Sequence, residues 1–109
     1  MADIKKDARL KDLILSLAGD FIQRESNGTS LITVTDISIS DNGKQAVIFF
    51  TVLPLDKEKA AYDFLKRSRA DFRVFFMERA HMGRIPFFDF EIDGGEKNRQ
   101  KIDEISHTI

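Results

Sequence analysis

Residues 64–76 read FLKRSRADFRVFF, four basic side chains interleaved with phenylalanines. At about 100° per residue, Phe64, Leu65, Ser68, Phe72, Phe75 and Phe76 fall within one third of a helix circumference, while Lys66, Arg69 and Arg73 form a separate stripe. One face is core and the other is cationic. Helical periodicity continues on both sides, over 56–82, too far for one short helix, and Ser68–Ala70 is its weakest part. The reading is a helix, a kink and a second helix.

Upstream, LITVTDISIS (31–40) and KQAVIFFTVL (44–53) are β-branched and aromatic, and Asp41-Asn42-Gly43 between them is a hairpin turn signal. The apolar phase of the first run changes from Ile32 and Val34 to Ile37 and Ile39, which predicts a bulge near Thr35-Asp36. Pro54 stops the second strand. Before the hairpin, residues 4–24 carry Ile4, Ala8, Leu13, Ile14, Leu17, Ala18 and Phe21 at helical spacing, with Asp3 as N-cap and ESNG as exit. Downstream, Gly83 is expected to end the second helix of the pair, and Pro86 leads into FFDFEID, where Phe88, Phe90 and Ile92 alternate with Asp89, Glu91 and Asp93. Gly94-Gly95 closes that strand.

The element order is α-β-β-α-(kink)-α-β. It predicts an α+β fold, a single KH-like type II domain over residues 1–93, with a three-stranded sheet covered by helices on one face. The last strand follows a long crossover and is expected to run parallel to one strand of the hairpin. Residues 94–109 form a polar tail or short helix carrying Ile102, Ile105 and Ile109.

A chain of 109 residues supports one core and not two. It has no Cys, and its two histidines, His81 and His107, are too far apart for a local ligand pair, so no metal site and no cofactor are expected. The longest apolar stretch, AVIFFTVLPL, is too short to span a bilayer, and the N-terminal segment is charged and amphipathic; a cytoplasmic protein without membrane contact is expected. The net charge is −1, but it is unevenly distributed. Six basic residues face two acidic ones between Lys66 and Arg84, whereas six acidic face three basic between Asp89 and Glu104. Such a local patch can bind phosphates despite a near-neutral sum.

On residue pattern alone, the basic stripe reads as the solvated side of an amphipathic helix, as do Lys5, Lys6, Arg9 and Lys11, interrupted by Asp7 and Asp12. Most phenylalanines sit at core periodicity; Phe87, on the polar face of the last strand, is the exception worth testing for base stacking. Asp89, Glu91 and Asp93 share a strand face that reads as solvent-exposed, with no His, Cys or Gly-rich loop converging on it. No Walker loop, dinucleotide fingerprint or nucleophile elbow is present, and no catalytic residue and no enzyme activity are expected.

From the first helix through Asp93 the chain resembles the ribosome-binding factor A family, whose fold is KH-like. The resemblance is carried by Thr33-Val34-Thr35 leading to Ser40, by Ala46 and Val47, by Arg73, and by Pro86 followed by Phe90 and Asp93. The sequence departs from the family pattern at Ser68, Arg69 and Ala70, where the family's kink carries a glycine. It departs also at Asn42 in place of Asp, at Ser26-Asn27-Gly28 in place of Asp-Pro-Arg, and at Gly83 in place of a basic residue. This is a divergent pattern.

The resemblance implies a non-catalytic factor acting in late maturation of the bacterial small ribosomal subunit, including 16S rRNA processing. Its implied partners are the small ribosomal subunit and its rRNA, with other assembly factors, including a GTPase, as further partners; a monomer is expected. It turns Lys66, Arg67, Arg69, Arg73, Arg79, His81 and Arg84 into candidate RNA contacts, Arg suiting a phosphate through its planar fork. The alternative is an α+β protein-interaction module with no RNA role, using its acidic strand face or tail.

Overall fold

Apolar residues at helical spacing build α1, Ala2–Glu25, which buries Ile14, Leu17, Ala18, Phe21 and Ile22 along one stripe. The computed structural model describes residues 2–26 and 28–94, so the expected tail helix lies outside the described residues. Strands β1, Leu31–Ile39, and β2, Gln45–Leu53, pair antiparallel, and β3, Phe87–Ile92, joins β2 in parallel to give the order β1-β2-β3. A parallel neighbour requires the chain to cross back over the sheet, and the helical segment after Pro54 makes that crossing.

The hairpin turn shows why its residues are those types. Gly43 has φ 71°, a left-handed conformation that favours glycine, and its amide donates to the Ser40 carbonyl. The Asn42 side-chain oxygen accepts from the Ser40 hydroxyl and from the Lys44 amide, at 2.7 and 2.9 Å. Both bonds need only an acceptor, so Asn serves here where the family pattern has Asp. The expected bulge is present: pairing slips between Val34 and Asp36, leaving Thr35 as the extra residue. Its hydroxyl hydrogen-bonds the Asp93 carboxylate, just past the end of β3.

After a 3-10 turn at Leu55–Lys57 come α2, Glu58–Arg67, and α3, Arg69–Ala80. The break between them is a single residue. Ser68, at φ −92° and ψ 3°, lies in a region open to any L-residue, so no glycine is required. Its hydroxyl donates to the Phe64 carbonyl at 2.8 Å, and its own carbonyl accepts from the Phe72 amide at 2.8 Å. Arg69 and Ala70, read as part of the kink, instead open the first turn of α3. That helix ends at Ala80 and not at Gly83. His81 adopts the left-handed cap conformation, φ 52°, and terminates it two residues early.

The core lies between the helices and one sheet face, formed by Ala46, Ile48, Phe50 and Val52 of β2 with Phe88 and Phe90 of β3. Phe72 is at its centre. Its ring lies 4.7–6.3 Å from those of Phe21, Phe75, Phe76, Phe88 and Phe90, most of these pairs edge-on or tilted.

Phe72→Ala should lower unfolding free energy by about 3–5 kcal/mol, measured by urea denaturation, because the cavity opens where three elements meet. His81→Gly should raise it by about 0.5–1 kcal/mol by relieving the left-handed backbone.

Candidate nucleic-acid interface

The candidate basic residues all come from α2, α3 and the loop that follows, but the structure divides them into two groups. Lys66 turns away from solvent. Its Nζ lies 2.7 Å from an Asp89 oxygen and 2.7 Å from a Glu91 oxygen, and 5.1 Å from the centre of the Tyr62 ring. Arg69 adds a longer bond to Asp89 at 3.4 Å, and its Nε donates to the Lys66 carbonyl at 2.9 Å. The acidic strand face is therefore not simply the solvated side, as alternation alone suggests. Asp89 and Glu91 are half-buried beneath a cationic side chain from α2, and this cover protects β3, an edge strand among the described residues.

Protonation follows this geometry. Burial alone would lower the Lys66 pKa, but hydrogen bonds to Asp89 and Glu91, with their charges, raise it above its ordinary value. Burial would likewise raise Asp89. The hydrogen bond from Lys66, the Phe90 amide, and the charges of Lys66 and Arg69 outweigh it and hold the carboxyl below its ordinary value.

Arg73 is also committed. Its Nε donates to the Pro86 carbonyl at 3.1 Å and an Nη to the Ile85 carbonyl at 3.0 Å, which anchors the chain entering β3 to α3. The guanidinium carbon lies 4.4 Å from the centre of the Phe87 ring. Arg79 donates to the Phe75 carbonyl and lies over the Phe75 ring at 3.6 Å, yet the residue stays exposed. Arg67, His81 and Arg84 are exposed.

Two shallow grooves flank this region. One, about 260 Å³, is lined by Ile32, Ala60, Ala61 and Phe64 with Lys57 and Arg67 among its charged residues. Lys57 was not singled out in the sequence, since only the turn after Pro54 brings it near Arg67. The other lies between α3 and β3. Among the described residues no cluster of three His, Cys, Asp or Glu could hold a metal ion, and no helix is long and apolar enough to cross a membrane.

A mixed three-stranded sheet with α1 and a broken helix pair on one face, and a basic border along that pair, defines a KH-like domain. Residues 6–106 match the family model described as ribosome-binding factor A, and the chain belongs to that family. It is 29% identical to the ribosome-binding factor A of Thermodesulfovibrio yellowstonii, over 99% of this chain and 97% of that protein. The crystal structure of ribosome-binding factor A from Thermus thermophilus superposes with a TM-score of 0.70 at 21% identity, covering 78% of this chain and 92% of that one. A homology model of the Thermus thermophilus factor, fitted into the cryo-electron microscopy map of its 30S complex, gives a TM-score of 0.63 at 22% identity, covering 78% of this chain and 88% of that one.

Lys66→Met should lower stability at neutral pH by about 1–2 kcal/mol, between the values for exposed pairs and for buried pairs that lose one partner. Asp89, depressed in the folded state, contributes stability that is present above its ordinary value of 3.8 and lost as pH falls from there through its lower folded-state value. Urea denaturation at a series of pH values should therefore show the wild type losing stability more steeply below about pH 5 than Lys66→Met.

Proposed function

We propose that this protein is a non-catalytic ribosome assembly factor that binds small-subunit rRNA in the cytoplasm during late maturation of the bacterial small ribosomal subunit, including 16S rRNA processing. The observation that carries this reading is the family match across residues 6–106. The 30S complex of the Thermus thermophilus relative supports the choice of subunit. It acts as a monomer, and other assembly factors, a GTPase among them, are its further partners.

Arg67, His81 and Arg84 are assigned to phosphate contact because they are exposed, and Arg69 and Arg79 with them because they too stay exposed although Arg69 also reaches Asp89 and Arg79 the Phe75 carbonyl. Lys66 and Arg73 were candidates on the same footing. Their cations are already engaged, Lys66 by two carboxylates and Arg73 by two carbonyls, so they position the interface. Reversing their charge would disturb the fold and confuse any binding test.

A factor of this kind shifts an RNA equilibrium only by its differential affinity for two states. Wild-type protein should therefore co-sediment more strongly with immature than with mature small subunits, and binding should fall with salt at a log-log slope of about −3 to −4 for four phosphate contacts. An Arg67→Ala, Arg84→Ala variant should weaken binding and flatten that slope by about 2. Equal affinity for both particles, or salt-insensitive binding, would favour the protein-interaction alternative.

A further inference from the structure

Leu31, Leu53 and Leu55 are among the most exposed large apolar residues described, and they gather at one corner of the sheet. Leu31 opens β1 and Leu53 closes β2; the two are direct cross-strand partners, 63% and 58% exposed. Their neighbours Ile32 and Val52 pack into the core, so alternation places both leucines on the face that carries no helix. Leu55, 72% exposed, follows two residues later. Single exposed leucines are ordinary, but a cross-strand pair with a third close by in the chain is a patch that calls for a cover.

The chain leaves β3 at the same end of the sheet. Ile92 pairs with Phe50, and the Asp93 amide donates to the Phe50 carbonyl at 2.7 Å. Alternation with Phe90 and Ile92 puts the Asp93 side chain on the outer face, where its carboxylate accepts from the Thr35 hydroxyl of β1, across β2. That bond directs the exit over the open face. The Leu31 and Leu53 pair lies three residues further along β2 than Phe50, about 10 Å, and within two strand spacings of about 4.8 Å to the side. Beyond Gly94 the large apolar residues are Ile102, Ile105 and Ile109, at spacings of three and four, one stripe of a helix. Residues 94–101 can span up to about 26 Å, which reaches the corner.

We propose that residues 102–109 cover this corner as a short amphipathic helix on the outer sheet face, with the isoleucine stripe seated on Leu31, Leu53 and Leu55. The tether keeps the two apolar surfaces at a high effective concentration, so a contact too small to join separate molecules forms within one. The other exposed apolar surface, Val74 and Met77 of α3 with Phe87, suits the stripe less well. Phe87 opens β3, at the end of the strand opposite the exit, and its ring already carries the Arg73 guanidinium. Neither half of the proposed contact depends on RNA.

The chain has no Cys, so a nitroxide can be placed at one introduced Cys, His107→Cys, on the side opposite the isoleucine stripe. In the ¹⁵N-labelled full chain the amides of Leu31, Thr33, Thr51, Leu53 and Leu55 should lose most of their intensity, while those of Val74, Met77 and Phe87 keep theirs. Adding Ile105→Asp should restore the five signals. A Leu31→Ser, Leu53→Ser variant should release the label in the same way with an unchanged circular dichroism spectrum, since both leucines are exposed. Uniform weak broadening, or broadening centred on Val74, Met77 and Phe87, would overturn the proposal, as would a pattern that survives Ile105→Asp. Broadening of an unmodified ¹⁵N-labelled chain by a separate nitroxide-bearing copy would seat the tail of a second molecule on the corner and overturn the intramolecular contact.

Discussion

The fold depends on Phe72 being able to touch α1, α3 and β3 at once. A single straight helix through residues 58–80 could not lay both its halves on a twisted three-stranded sheet. The break at Ser68 redirects the chain, and its carbonyl starts α3 by accepting the Phe72 amide. Phe72 then drops into the space bounded by Phe21, Phe88 and Phe90. With no Trp and one Tyr in the chain, the aromatic part of the core is built from edge-on contacts between phenylalanines.

A second constraint acts at the border of the sheet. An edge strand presents unpaired backbone groups, and β3 also carries two carboxylates on its outward face. Lys66 crosses from α2 to bind both, and Arg69 adds to the same cluster. Part of the basic stripe is thus internal wiring between the helix pair and the sheet. The exposed arginines of this segment are Arg67, Arg69, Arg79 and Arg84, fewer than the six basic residues that the charge count of 66–84 suggests.

This division bears on how an RNA surface can be built on a chain of net charge −1. The protein's own carboxylates offset the cations nearest the sheet, Lys66 and Arg69. The helix break carries no glycine; the Ser68 hydroxyl supports it by donating to the Phe64 carbonyl.

Much of this was legible in order. The period-two runs with Asp41-Asn42-Gly43 between them determined the hairpin, the phase slip in 31–40 determined the bulge at Thr35, and the Phe64-to-Phe76 spacing determined which face of the helix pair is buried, because each is a local pattern repeated over several residues. Helix ends were less legible: His81 stops α3 before Gly83, since a left-handed cap is decided by how the chain must turn toward β3 and not by glycine alone. The partners of the charged residues were not legible at all. Nothing within a few residues of Lys66 points to Asp89 and Glu91, 23 and 25 positions away, and Arg73 finds Phe87 only because β3 returns beside α3. Local spacing sets which side of an element is apolar; only the packed structure decides which charges meet, because ion pairs depend on distances that the chain's crossover creates.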